Sequence, residues 1–106
     1  MASADSDPVI KQFREQISDN DLKIVEAINK RIKLVAQLKT YKEQQGIGFL
    51  DPERDQWMIT FVSRANRGPL SVEGLHEIFE HVLELSRREV VAREAKAGET
   101  APRAPS

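Results

Sequence analysis

The chain has 106 residues, of which 40% are hydrophobic and 31% charged, and this composition is typical of one globular domain. The formal net charge of −1 argues against a generic nucleic-acid or membrane-surface binder, which needs a basic excess. The absence of cysteine excludes disulfides, thiolate catalysis and cysteine metal sites. No apolar run approaches membrane-spanning length, and the polar, acidic N-terminus is unlike a secretory signal, so we expect a cytosolic protein.

The two ends of the chain differ in composition from its middle. Residues 1–6 are polar, and residues 96–106 are rich in small residues and proline without any large apolar side chain. Both segments are therefore expected to be disordered. Residues 7–95 form the predicted domain, and they show no period-two pattern typical of strands. The predicted fold class is all-α, with three helices.

Helix one is predicted to begin at Asp7-Pro8, since Asp is a strong N-cap and proline suits the first helical position. Gly46 and Gly48 end it. Residues spaced three or four apart form a single stripe along this helix, and they are mostly apolar: Ile10, Phe13, Ile17, Asp21, Ile24, Ile28, Arg31, Val35, Leu38 and Lys42.

The second and third helices carry similar start signals. Asp51 caps helix two and Pro52 occupies its first position, while Ser71 can cap helix three. The sequence "NRGP", residues 66–69, separates the two helices. The stripe of helix two is Arg54, Met58, Phe61 and Ala65; that of helix three is Val72, Leu75, Phe79, Val82, Ser86 and Val90.

The length of helix one predicts a dimer. Residues 8–44 would extend ~55 Å at ~1.5 Å per residue, whereas a compact domain of about 100 residues is roughly 35 Å across. Two shorter helices of the same chain cannot cover such an apolar stripe, and no internal proline bends it. We therefore expect an obligate homodimer of intertwined helices with helix one at its centre.

Cations on the apolar stripes indicate an anionic ligand. Arg31 and Lys42 are eleven positions apart and fall within about 20° of the same helix face. Arg54 lies on the stripe of helix two in the same way. Each cation alone is typical of a side chain whose head reaches water, but a buried unpaired cation costs several kcal/mol. With few carboxylates nearby, a small dianion such as a dicarboxylate would supply the missing charge.

Other candidate residues carry weaker signals. Arg14 does not share the face of Arg31 and lies ~25 Å from it along the helix; the sequence alone favours a surface salt bridge, although an antiparallel dimer could bring it into the partner's site. His76 and His81 are five positions apart without a third ligand, so we expect surface residues and no metal site.

Two segments resemble the all-helical chorismate mutases: "FREQISDNDLKIVEAINKRIKLVAQLKTYKEQQGIGFLDPERD", residues 13–55, and "GPLSVEGLHEIFEHVLELS", residues 68–86. The shared motifs are an early Arg, an Arg followed eleven residues later by Lys, an Asp-x-x-Arg-acidic motif and a late Ser. In that family three helices per chain intertwine into a dimer, and each site binds chorismate, a cyclic dicarboxylate, without a cofactor.

The resemblance implies roles for the basic residues. Arg14 would cross from the partner chain to hold a ligand carboxylate, and Arg31 would hold a carboxylate from its own chain. Lys42 would bond to a carboxylate and to the ether oxygen of the breaking bond, and Arg54 would help to orient the site.

Three further residues complete the implied site. Asp51 and Asp55 would contact the ligand hydroxyl, through backbone and side chain respectively, and Ser86 would contact the ring carboxylate region. The family often has Glu where Asp55 stands. It usually has Gln or Glu one turn after the Ser, at a position where this chain has Val90, which cannot hydrogen-bond.

The activity implied by the resemblance is the rearrangement of chorismate to prephenate in phenylalanine and tyrosine biosynthesis. Val90 keeps two sister activities open, isochorismate pyruvate lyase and aminodeoxychorismate mutase. A catalytically silent helical dimer is the alternative from another class of function.

Overall fold

The computed structural model describes residues 4–100, with side chains described for residues 5–96. These residues form one short 3₁₀ helix and three α-helices without a strand, which confirms the predicted all-α class: the 3₁₀ helix is Ala4–Ser6, α1 is Pro8–Gln44, α2 is Pro52–Ala65 and α3 is Val72–Thr100. The chain divides into two compact units, Met1–Lys30 and Arg31–Ser106.

The predicted capping residues begin the helices. The Asp7 carboxylate accepts hydrogen bonds from the backbone N–H groups of Val9 and Ile10, at 2.9 and 3.3 Å. Asp51 accepts one from the N–H of Arg54 at 3.1 Å, and Ser71 accepts one from the N–H of Gly74 at 3.0 Å. Each cap supplies a partner for a backbone donor that the first helical turn leaves unpaired.

A glycine fixes how the chain leaves α1. Gly46 has φ +70°, a left-handed conformation that favours glycine. Its N–H donates to the carbonyl of Glu43 at 3.2 Å, and the N–H of Ile47 donates to the carbonyl of Lys42 at 2.8 Å. This pair of bonds is a Schellman motif, and it sets the direction of the loop that follows Lys42.

Parts of the two terminal segments that were expected to be disordered are helical. Residues 4–6 form a 3₁₀ turn, and α3 continues through residues 96–100. Lys96, Ala97 and Glu99 favour the helical extension and no proline ends it before Pro102, although Gly98 is a weak helix former. Residues 1–3 and 101–106 of the expected disordered ends lie outside the described residues.

The second unit contains the buried side chains of the structure. Leu75, Leu83 and Val90 of α3 are buried with Ser86, and α2 packs against α3. Neither α1 nor α2 contains a buried residue. In the first unit, large apolar side chains stay exposed: Val9, Ile10, Phe13, Ile17, Leu22, Ile24 and Val25.

One histidine differs from its expected surface position. His76 is half-buried, and its Nε2 shares a hydrogen bond of 3.0 Å with the hydroxyl of Ser63. His81 is exposed, as expected. This hydrogen bond links a side chain of α3 to one of α2, so His76 has a role in helix packing.

Within residues 4–100, no helix combines the length and the apolar character that crossing a bilayer requires.

Candidate functional site

A cavity of about 200 Å³ lies in the second unit, where the end of α1, the following loop, α2 and α3 meet. Its walls combine apolar residues with charged ones. The lining residues are Arg31, Val35, Leu38, Lys42, Phe49, Asp51, Arg54, Asp55, Met58, Leu83 and Arg87. Five of the seven predicted site residues therefore face one cavity, although they come from two helices and a loop.

Lys42 reaches the cavity from the last turn of α1. Its half-buried ammonium donates a hydrogen bond of 3.3 Å to the backbone carbonyl of Phe49. The ring of Phe49 lies under a second lysine of α1, with Lys39 Nζ 5.5 Å from the ring centroid. The loop after α1 is therefore held by two cations, one of which lines the cavity.

Lys39 is itself held by carboxylates from two helices. Its ammonium is paired with Glu43 and with Glu94 of α3, the latter at 2.7 Å, and its side chain is 13% exposed. The hydrogen bond with Glu43, and then that with Glu94, raises the pKa of Lys39. This cluster joins the end of α1 to α3 beside the cavity.

Arg31 is a half-buried cation of the cavity wall. Burial lowers the pKa of Arg31, the nearby carboxylate of Asp55 opposes that change, and the positive charge of Arg87 adds to it. A guanidinium keeps its proton despite such a shift. Arg31 is thus a partly desolvated, permanent cation, and a carboxylate ligand would stabilise its charge.

The first turn of α2 contributes both signs of charge. The Asp51 carboxylate caps the helix, and Arg54 extends its guanidinium over the ring of Trp57, with Cζ 3.8 Å from the ring centroid. This cation–π contact restrains Arg54 at the wall of the cavity.

The sequence analysis did not predict Arg87. This residue of α3 lines the cavity and is paired with the carboxylate of Asp55. Arg87 Nη1 donates to Asp55 Oδ2 at 2.6 Å, and the two side chains are 31% and 34% exposed. Arg87 lies one turn after Leu83, which also lines the cavity, but neither residue lies on the stripe predicted for helix three.

Ser86 and Val90 share a different row of α3. Ser86 is 2% exposed, and its hydroxyl donates to the carbonyl of Val82 at 2.7 Å. Val90 is fully buried. Neither residue is among those that line the cavity, so the structure does not bring the predicted Ser86 together with the other site residues.

Arg14 belongs to the first unit. Its Nη1 forms an ion pair of 2.7 Å with Asp5, and both side chains are exposed. This is the surface pair that the sequence alone favours, and supply of Arg14 to a partner chain's site stays a prediction.

A larger concavity of about 480 Å³ lies along α2. Its lining residues are Glu53, Gln56, Trp57, Thr60, Phe61 and Arg64, and the rings of Trp57 and Phe61 stack at 5.0 Å. One face of a single helix cannot surround a small ligand. The smaller cavity, which several elements enclose and which contains four cations, is the better candidate site.

Comparison with known proteins identifies the family of this chain. Residues 13–91 match the chorismate mutase type II family. The chain belongs to the chorismate mutase type II family. The match includes every predicted site residue and also Arg87.

Two curated relatives are similar over most of this chorismate mutase domain. The bifunctional chorismate mutase/prephenate dehydratase of Pseudomonas aeruginosa strain PAO1 is 32% identical over 85 residues, 76% of this chain. The enzyme of the same name from Stutzerimonas stutzeri is 28% identical over 88 residues, 78% of this chain. The chain spans 23% of the length of each relative.

Proposed function

We propose that the chain catalyses the rearrangement of chorismate to prephenate in the cavity between α1, α2 and α3. The observation that carries the proposal is the charge of the cavity. Four cationic side chains face two carboxylates there, which leaves a formal excess of two positive charges. A dicarboxylate of chorismate's type would neutralise that excess inside a partly apolar enclosure.

The contacts proposed for Arg31, Asp51, Arg54 and Asp55 use residues that line the cavity. The Arg31 guanidinium would bind one carboxylate through two parallel hydrogen bonds. The Asp55 carboxylate would accept a hydrogen bond from the ring hydroxyl, with a further contact from the backbone of Asp51. Arg54 would orient the ligand from the wall. Contact of Ser86 with the ring carboxylate region stays a prediction, because Ser86 does not line the cavity.

The reaction is unimolecular, so it needs neither a nucleophile nor a proton transfer. Catalysis would consist of holding the enolpyruvyl arm over the ring in its reactive conformation. Lys42 would stabilise the charge that develops on the ether oxygen as the carbon–oxygen bond breaks. The Lys42 ammonium already lies at the cavity, and binding would exchange its bond to Phe49 for bonds to the substrate.

The same proposal includes a homodimer in which Arg14 is supplied across the interface. The exposed apolar side chains of the first unit support it, since Phe13 and Ile17 are 60% and 59% exposed in the single chain. A second chain that covered them would bury the stripe that this chain leaves in water. A cytosolic location stays a prediction.

A substrate panel tests the proposed activity. Purified protein is incubated with chorismate, isochorismate and aminodeoxychorismate, and products are separated and quantified. We expect prephenate to appear in equal amount as chorismate disappears, with slower or no change of the other two compounds. Release of pyruvate from isochorismate would favour the lyase, preferential rearrangement of aminodeoxychorismate would favour that mutase, and no reaction would favour a non-catalytic module.

A further inference from the structure

The ion pair between Arg87 of α3 and Asp55 of α2 lies at the wall of the cavity. Both residues line the cavity, and the N–O distance of 2.6 Å is short for a charge-assisted hydrogen bond. The two side chains are about one-third exposed. Ion pairs with that much solvent contribute little to stability, so a stabilising role alone does not account for its place at the cavity.

We propose that Arg87 is a positioning residue, which holds the Asp55 carboxylate at the cavity wall so that it accepts the substrate's hydroxyl group. The inference rests on the proposed function, because it concerns a hydroxyl-bearing dicarboxylate in the same cavity. Arg87 acts through Asp55, with which it forms the ion pair, and not by contact with the ligand.

The Asp55 carboxylate needs a partner to fix its orientation, because only the backbone of this residue is held at the start of α2. Its backbone N–H donates to the Asp51 carbonyl at 3.1 Å, which fixes the main chain and leaves the carboxylate to rotate about its side-chain bonds. Arg87 Nη1 occupies one oxygen, Oδ2, and leaves Oδ1 available for another partner. One carboxylate oxygen is thereby anchored while the other can face the ligand.

The charge of Arg31 interacts with both members of this ion pair. Asp55 and Arg87 act on Arg31 in opposite directions, the first favouring its charged form and the second opposing it. Loss of Arg87 would therefore leave the Asp55 carboxylate to turn toward Arg31. That contact would compete directly with the substrate carboxylate for the Arg31 guanidinium.

The test compares Arg87→Met with a matched change one residue along α3, Arg88→Met. Arg88 is exposed and does not line the cavity, so the control removes the same charge from the same helix. For Arg87→Met we expect kcat/KM for chorismate to fall about tenfold to a hundredfold, as for loss of a hydrogen bond to a charged group. Arg88→Met should remain within about twofold of the wild type, and Arg87→Lys should recover part of the loss.

A double-mutant cycle separates positioning from an independent effect. If Arg87 acts through Asp55, the double variant Asp55→Asn with Arg87→Met should lose no more activity than Asp55→Asn alone. Losses that multiply would contradict the proposal. So would an Arg87→Met enzyme that matches Arg88→Met.

The exchanged pair, Asp55→Arg with Arg87→Asp, keeps the proposal testable where a single variant folds poorly. Exchange should raise the thermal unfolding midpoint above that of Arg87→Asp alone while activity stays low, because the carboxylate then projects from α3. If the exchanged pair recovered both stability and activity, the ion pair would have only a structural role, and the proposal would be wrong. Inactivity of the wild type and of Arg88→Met would overturn the proposed function itself, and this inference with it.

Discussion

The ammonium of Lys42 and the carbonyl oxygen of Phe49 are joined by a hydrogen bond of 3.3 Å across the turn that ends α1. The same Phe49 presents its ring to Lys39. Two lysines one turn apart thus contact one loop residue, Lys42 at its backbone and Lys39 at its ring, which restrains the loop that lines the proposed site.

Replacement of Lys42 by Ala should abolish most of the proposed catalysis. The change removes the only cationic group proposed to act on the ether oxygen, so turnover should fall about a hundredfold to a thousandfold. Steady-state rates with chorismate measure this, and far-UV circular dichroism should show unchanged helix content. Lys33→Ala, at an exposed position of the same helix, is the control; near-normal turnover of Lys42→Ala would exclude the proposed role.

Arg31→Lys should separate charge from geometry. Lysine keeps the positive charge but cannot form the parallel pair of hydrogen bonds with a carboxylate. We expect kcat/KM to fall about tenfold or more with little change in the unfolding midpoint. Arg88→Lys serves as the control at an exposed position. Equal kinetics for Arg31→Lys and the wild type would mean that no carboxylate binds this guanidinium in the fork geometry.

Mixed dimers test whether Arg14 crosses to a partner chain. Arg14→Ala and Lys42→Ala should each be nearly inactive alone. If Arg14 serves the partner's site, a dimer with one chain of each kind contains one intact site and one doubly defective site. Unfolding and refolding the two variants together should then restore activity. No restoration in dimers shown to be mixed would place Arg14 in its own chain's site or outside any site.

Two replacements of Asp51 should have different effects on stability. Asp51→Asn keeps a side-chain oxygen that can cap α2, and Asn and Asp are similar N-caps, whereas Asp51→Ala removes the cap at a cost of about 1 kcal/mol. Denaturant unfolding measures both. Because Asp51 is proposed to contact the substrate through its backbone, Asp51→Asn should keep near-normal turnover, and a large loss of turnover with normal stability would assign its carboxylate a direct role.

The cluster around Lys39 predicts a pH-dependent stability. Its pKa is raised above the ordinary value of 10.5 by Glu43 and then Glu94. The stability that pairing contributes is therefore fully present below about pH 10.5 and is lost as pH rises through the raised folded-state pKa. The difference in unfolding midpoint between wild type and Lys39→Met should be constant from pH 7 to about 10 and shrink above it. Lys33→Met is the control, and a difference that persisted unchanged to about pH 12 would contradict the assignment.

The starts of the helices and much of the site could be predicted from the sequence because their causes are local. Asp7 and Asp51 cap the helices that follow them, and their signals lie within four residues. Arg31 and Lys42 share a face by helical geometry alone, so their meeting in one cavity needs no knowledge of the rest of the fold.

Arg87 could not be found in this way because its position depends on how α3 is rotated about its axis. The apolar stripe of α3 passes through Ser86, and a step of one residue turns the side chain by about 100°. Packing against α2 decides which neighbouring row reaches the cavity, and that row contains Leu83 and Arg87. The hydroxyl of Ser86 is instead satisfied by the carbonyl one turn earlier, a bond that sequence does not reveal.

The most direct test of the central claim is a crystal structure of the protein with a bicyclic dicarboxylate that mimics the transition state of the chorismate rearrangement. We predict that the mimic lies in the cavity of α1, α2 and α3, with one carboxylate on the Arg31 guanidinium and the Lys42 ammonium within hydrogen-bonding distance of its ether oxygen. A mimic bound elsewhere, or a cavity whose cations make no contact with it, would contradict the account.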